Sequence, residues 1–360
     1  MKQTVLHSQH LSLHAKMVDF SGYSMPLQYQ SQMQEHLAVR NNAGIFDVSH
    51  MKVLSITGND TIKFIRYLVA NDIAKLPPGK AMYTCMLNHN GGIIDDLIIY
   101  YFNNRHINLI VNAACADKDI KWMTTTAESF DVTINIQATQ SILAVQGPNA
   151  ISLASKILPE EYSHVLNTLK PFETSLYNTD FIARTGYTGE CGFEIVVQPA
   201  TAIQIWEQAI QEGITPCGLA ARDTLRVEAG LNLYGQDMDD TTSPLISNLK
   251  WTVSLDDTDR DFIGKQAILK EIECGVKFKL TGVSMTTPGM LRNNQQITFQ
   301  DGTTGTITSG SFSPILKHAV GMARVPIKAP EHGQVMQRKQ STEIKLSPLP
   351  FIKKRKTVAI

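Results

Sequence analysis

The sequence predicts an α+β protein that ends in a separate all-β part of barrel or sandwich type. Three observations carry that prediction. At 360 residues the chain exceeds what one hydrophobic core usually serves, so more than one domain is expected. Helical and strand periodicities are mixed through most of the chain, with no solenoid repeat and no low-complexity tract. Over the last ~80 residues the pattern changes to short alternating strands punctuated by Gly, Thr and Ser.

Taken in order, Gln30 to Asn42 reads as a helix stopped by Gly44. Asp60 to Ala70 reads as a second helix, capped near Asn59, with Ile62, Ile65 and Leu68 towards one side. Two strands follow, Ile93 to Phe102 and His106 to Asn112, around the polar turn Asn103, Asn104, Arg105. Further helices are expected at Asp117 to Glu128, at Ala200 to Gln211 with Gly213 ending it, and at Leu219 to Ala229. The segments TGVSM, QQITFQDGTTGTITSG and HAVGMARV supply the alternating strands of the last part, and a boundary falls near Cys274.

Composition narrows the function classes. Hydrophobic residues at 43% and charged residues at 18% describe a chain able to bury a core, unlike a disordered one. Lys plus Arg equals Asp plus Glu at 33 each, so no global basic field exists to hold nucleic acid, and none is expected as a partner. The richest apolar stretch, Ile93 to Phe102, is broken by Asp95 and Asp96 and is too short to cross a bilayer, so no membrane association is expected. The first residues, MKQTVLHSQHLSLHAK, lack both a continuous apolar core and the Arg-rich character of a transit peptide, and the expected location is the cytoplasm. Cys85, Cys115, Cys191, Cys217 and Cys274 are scattered and never form C-x-x-C, which argues against a disulfide framework and against a metal site.

The Ile93 strand is apolar on both faces, with 94, 96, 98 and 100 on one side and 93, 95, 97 and 99 on the other. A three-residue loop at Asn103 to Arg105 sets Phe102 against His106. Ile99 then pairs with Leu109, Ile98 with Ile110 and Leu97 with Val111, apolar against apolar. The same register sets Asp96 opposite Asn112 and Tyr100 opposite Asn108, so polar groups gather on one face as the floor of a pocket. Burying a carboxylate without partners costs several kcal/mol, so Asp95 and Asp96 need donors, solvent or a task. Two readings stand: a functional pocket around Asp96, or two carboxylates at the strand mouth bonded to the N–H groups after Gly91 and Gly92.

Eight segments together carry a specific resemblance: KMVDFSGYSMPLQY at 16–29, GIFDVSHM at 44–51, NGGIIDDLIIY at 90–100, LAVQGPNA at 143–150, RTGYTGECGFEI at 184–195, GLAARDTLRVEAGLNLYGQDMD at 218–239, DFIGKQAI at 261–268 and TSGSFSP at 308–314. Through them the chain resembles the aminomethyltransferases of the glycine cleavage system, the T-proteins, along essentially its full length. The resemblance implies a three-domain folate-binding fold around a central funnel, with a barrel-like C-terminal domain. The implied division is residues 1–52 with 140–245, an insertion at 53–139 carrying the Asp96 hairpin, a connecting segment at 246–274 and the barrel at 275–360.

It implies transfer of the one-carbon unit of an aminomethyl group from the lipoyl arm of the H-protein to tetrahydrofolate as co-substrate, with ammonia released. Asp96 falls where the family places the carboxylate beside the folate nitrogens, and Glu194 and Arg222 fall at folate-contacting positions. Met51, Tyr83, Tyr100, Asn112 and Tyr187 are carried over in the same way. A flat reduced pterin edged with N–H donors suits a carboxylate at one edge and Met or aromatic groups on its faces. Arg222 and Arg226 repel at helical spacing; Asp223 can pair with Arg226 and leave Arg222 for a ligand, and a purely structural double salt bridge is the alternative. His50 is expected to be a structural hydrogen-bonder.

The sequence departs from the family pattern at Cys191, where GYTGEDGFE would carry Asp, and at Tyr23, where Trp is frequent. A tRNA-associated folate protein would show a KGCY-like motif, absent here, and a flavin-linked oxidising enzyme would add a G-x-G-x-x-G turn, also absent. A non-catalytic folate-binding or carrier-docking module of the same superfamily is the alternative reading. The cationic run Lys353, Lys354, Arg355, Lys356 is either solvated surface or a patch that meets an acidic carrier or a folate tail.

Overall fold

A computed structural model of the chain describes residues 1–338 and 340–353, and the backbone of 356 and 357. Lys354, Arg355 and the side chain of Lys356 lie outside the described residues, and Lys353 is exposed. Three sheets organise the fold. A six-stranded sheet runs in the order Thr174–Tyr177, Asp180–Ala183, Gly192–Val197, Ser141–Gln146, Gly44–Asp47, Thr215–Pro216. A five-stranded sheet runs Lys80–Leu87, Ile93–Asn103, His106–Val111, Lys52–Thr57, Thr133–Ile136. The last part is a closed antiparallel barrel of six strands between Phe278 and Ser347, which settles the choice between barrel and sandwich. No helix among the described residues is long and apolar enough to cross a membrane.

The predicted helices are present with shifted ends: Gln32–Asn41, Thr61–Leu68, Ala116–Ala127, Pro199–Gln211 and Leu219–Glu228. The cap near Asn59 is not formed. Asn59 donates to Asp131 instead, and Asp60 occupies the cap position with its carboxylate drawn to Lys63 and the Asp131 N–H. Helices at Ala150–Ile157, Glu160–Leu166 and Lys265–Cys274 have no counterpart in the sequence reading. The first two bury Ala150, Ala154, Ile157, Tyr162 and Leu166 against the six-stranded sheet, and a stripe that short is below what periodicity distinguishes.

The expected hairpin register holds at Ile98–Ile110, Ile99–Leu109 and Tyr100–Asn108. It differs at the turn, and the pairing of the same strand with Lys80–Leu87 is irregular at its base. A bulge at Phe102 sets Asn103, not Phe102, opposite His106, so the turn is shorter than expected. A second bulge at Ile94, between the Met86–Asp95 and Leu87–Ile93 pairs, breaks the alternation. Ile94 therefore joins Leu97, Ile99 and Tyr101 in the core under helices Thr61–Leu68 and Ala116–Ala127, rather than sharing the Asp96 face. The other face, with Tyr100 and Ile98, packs against Phe46, Val53, Phe181 and Val196, where the two large sheets meet. The strand is thus covered on both sides, as its apolar pattern required.

Gly91 and Gly92 hold the base of this strand against the loop at 239–242. The Ile93 N–H donates to the Asp239 and Thr242 carbonyls, and Asn88 Nδ2 donates to the Asp240 carbonyl at 2.8 Å. A Cβ on Gly92 would stand 1.9 Å from the Asp240 carbonyl oxygen. Gly92→Ala is therefore expected to destabilise the protein by about 1–3 kcal/mol or more, since backbone cannot yield as a side-chain tip can. Urea unfolding reads this as a lowered midpoint; an unchanged midpoint would show that the 239–242 loop moves aside freely.

Candidate active site

One cavity of about 860 Å³ gathers all eight residues carried over by resemblance: Met51, Tyr83, Asp96, Tyr100, Asn112, Tyr187, Glu194 and Arg222. Its walls come from the 93–112 hairpin, the hairpin near Phe20, the Thr185–Tyr187 turn, helix Leu219–Glu228, and the loops at 230–236 and 248–251. The barrel stands behind helix Leu219–Glu228: Arg226 bonds Ser309 at 2.9 Å, and Glu228 accepts from Ser313.

Asp96 projects from the sheet face into this cavity. Tyr83 Oη donates to its Oδ2 at 2.8 Å, and Asn112 Nδ2 donates to its Oδ1 at 3.1 Å. The same Asn112 binds Asp95, with Nδ2 to Oδ1 at 2.9 Å and the backbone N–H to Oδ2 at 3.2 Å. The Ile93 N–H, next after the two glycines, goes to the Asp239 and Thr242 carbonyls, and the Gly91 and Gly92 N–H groups go to Asn88, so the strand-mouth reading of the two carboxylates does not describe this site. Burial and the neighbouring Asp95 push the Asp96 carboxyl up to about 7, against the pull of its hydrogen bonds from Tyr83 and Asn112. An acid in that range exchanges a proton readily at neutral pH.

At the other side, Glu194 sits in the six-stranded sheet opposite Ala144 and Ala183, and accepts from Thr185 Oγ1 at 2.5 Å. Tyr100 lies near it, packed on Phe181 with ring centroids 4.7 Å apart. Arg226 is bound by Asp223 at 2.8 Å and Asp237 at 2.7 Å, so the expected pairing with Asp223 forms on Arg226 and not on Arg222. Arg222 has no carboxylate within salt-bridge distance among the described residues, and its guanidinium lies over the Tyr187 ring at 4.6 Å. Tyr187 is held by its hydroxyl, which donates to the Asn232 carbonyl. The arrangement offers a buried acceptor, a desolvated cation and flat apolar faces around one volume.

His50 corrects the sequence reading. It lines the cavity, its Nδ1 has no partner among the described residues, and it meets the Phe20 ring edge-on at 5.3 Å. Burial and then Arg222 push its pKa down to about 4, so the imidazole is neutral. Three further groups were not singled out as site residues. Trp251, 63% exposed, stacks on Tyr83 with centroids 5.5 Å apart; Thr185 holds Glu194; the Asp119 carboxyl, buried on helix Ala116–Ala127, is pushed up by burial and by the charge of Asp95 beside it. Only the Asp at 119, an acid four residues past the Cys115 cap on an apolar helix face, left a signal that periodicity could have used.

Known proteins resemble this chain over nearly its whole length. The GCVT N-terminal domain family matches residues 6–257, and the glycine cleavage T-protein C-terminal barrel domain matches 279–353. Aminomethyltransferases of Francisella tularensis subsp. mediasiatica (strain FSC147) and of F. tularensis subsp. tularensis (strain WY96-3418) are each 47% identical over 359 residues, covering 99% of this chain and 100% of theirs. The crystal structure of glycine cleavage system aminomethyltransferase T from Bartonella henselae superposes with a TM-score of 0.92 at 32% identity, covering 99% of both chains. By sequence, domain matches and fold, the chain belongs to the aminomethyltransferase family of glycine cleavage T-proteins.

Proposed function

We propose that this aminomethyltransferase takes the aminomethyl group from the lipoyl arm of the H-protein and delivers its carbon to tetrahydrofolate in the Asp96 cavity. The observation that carries the reading is Asp96 itself, an acid near neutrality held by Tyr83 and Asn112 at the floor of a cavity of about 860 Å³. The pterin fits the residues present: Glu194 meets its N–H edge, while Met51, Tyr100 and Tyr187 pack its faces. Retention of the acidic centre favours catalysis over a binding module.

The carbon begins bonded to sulfur and nitrogen and ends bonded to two folate nitrogens. The two hydrogens those nitrogens lose leave with ammonia and with the dihydrolipoyl sulfur, so the balance closes with no oxidant. No protein nucleophile is needed, because the carrier sulfur is itself a leaving group. Asp96 orients a folate nitrogen, takes up or returns its proton, and stabilises positive charge developing at the carbon. Arg222 and Glu194 fix the ring so that this nitrogen reaches Asp96.

Asp96→Asn keeps size and removes charge. Turnover with aminomethylated H-protein and tetrahydrofolate is expected to fall about tenfold or more, with folate binding reduced modestly. Ammonia and methylenetetrahydrofolate followed together give the measurement, and wild-type turnover in this variant would sink the assignment. Glu194→Ala is expected to weaken folate binding by about 1.5–3 kcal/mol, as for a charged hydrogen bond, with folate-free ammonia release better preserved. Calorimetry showing undiminished affinity in both Glu194→Ala and a folded Arg222→Ala protein would return the two residues to a purely structural network.

A further inference from the structure

Behind Asp96 lies a second carboxyl system that the chemistry above leaves unused. Asp95 and Asp119 are both fully buried, and that burial and then the Asp95 charge beside it push the Asp119 carboxyl up. The two are not equivalent. Asp95 accepts from the Asn112 N–H and Nδ2, whereas neither oxygen of Asp119 receives a hydrogen bond from a donor among the described residues. The nearby cation does not resolve this. Lys118 Nζ donates to the Ile94 carbonyl at 2.7 Å and to Tyr234 Oη at 2.8 Å. A buried carboxyl with no donor and a carboxylate neighbour is stable only as the neutral acid, while the partner that collects donors is stable as the anion.

We propose that Asp119 is a positioning residue that holds a proton as a carboxylic acid and donates it in a hydrogen bond to the Asp95 carboxylate. This rests on the assignment of Asp96 above and deepens it. The donated bond keeps Asp95 anionic. Anionic Asp95 then fixes Asn112, whose Nδ2 spans Asp95 Oδ1, Asp96 Oδ1 and the Asp96 carbonyl, and so fixes the rotamer of Asp96. It also places one negative charge behind Asp96, which keeps that acid poised near neutral pH instead of fully ionised. The other titratable groups facing the trio are Cys85, Tyr83 and Tyr187, each pushed up by burial and neutral at physiological pH.

Two substitutions separate this from a packing role. Asp119→Asn keeps a donor to Asp95 and has no proton to lose; Asp119→Ala removes the donor, so Asp95 takes up the proton and Asp96 no longer faces an anion. The acid limb of kcat/KM for the full reaction is expected to stay in place in Asp119→Asn. In Asp119→Ala it is expected to move to lower pH by about one unit or more. A limb that moves equally in both variants, or in neither, overturns the proposal.

The second readout needs no substrate. With aspartate carboxyl carbons labelled with carbon-13, the ligand-free protein is expected to show one carboxyl that stays protonated through neutral pH and is lost in Asp119→Asn. Persistence of that signal in Asp119→Asn would assign the proton elsewhere. The sign of the stability effect follows. Above the ordinary carboxylate range the unfolded chain releases a proton that the native state keeps, so wild-type stability falls as pH rises, and the Tm advantage of Asp119→Asn widens with pH. Wild-type turnover in Asp96→Asn alongside the expected Asp119 signal would refute the Asp96 assignment while leaving the proton on Asp119.

Discussion

A carboxylate withdrawn from water must be given donors, and the strand Ile93–Asn103 carries two in succession that face opposite sides of a sheet covered on both. Asn112 answers both demands at once. Its backbone N–H and amide reach Asp95 on one face and Asp96 on the other, because the register brings the end of the next strand back beside them. Neither carboxylate has a cation within salt-bridge distance among the described residues, so their charges are controlled by burial, by hydrogen bonds and by each other. That is the condition under which an acid is poised instead of fully ionised. The bulge at Ile94 and the close approach of Gly92 to Asp240 fix the strand base from which this geometry is measured.

A second buried ionic system anchors the opposite wall. Helix Leu219–Glu228 is tied to the barrel and to helix Gln32–Asn41 by charges of which all but Asp223 are buried. Arg226 is shared by Asp223, Asp237 and Ser309, and Glu228 by His36, Arg40 and Ser313. Such pairs add little net stability over apolar substitutes, yet breaking one partner is costly, so they set orientation more than they add strength. Their effect at the site is indirect. With Arg226 and Glu228 committed to these ion-pair and serine partners, Arg222, one turn earlier, presents to the cavity a guanidinium without a salt bridge among the described residues, over Tyr187.

The two sheets that share the core around Tyr100 and Phe181 connect these walls. Glu194 rides on one sheet and Asp96 on the other, so packing between sheets fixes the span across which a flat ligand is held. Tyr83 couples that floor to the surface through its stack on Trp251, in a segment that carries little regular structure of its own.

Much of this was legible in the sequence. The hairpin register followed from matching apolar residues across a short turn, because slipping by one would bury polar groups against apolar ones. Pairing of Asp223 with Arg226 followed from helical spacing, and a separate all-β part, barrel or sandwich, from the change in strand rhythm after Cys274. What local pattern could not supply were the contacts between segments far apart in the chain. Both bulges, a His50 Nδ1 without a partner among the described residues, the stack of Trp251 on Tyr83 and the meeting of Asp119 with Asp95 depend on where other elements stand. The sequence by itself determined which residues could be buried and which acids would then need partners, since hydrophobicity and periodicity are properties of the chain. Tertiary structure alone decided which partner each acid received and which one keeps its proton, since desolvation and charge proximity exist only once distant segments are packed together.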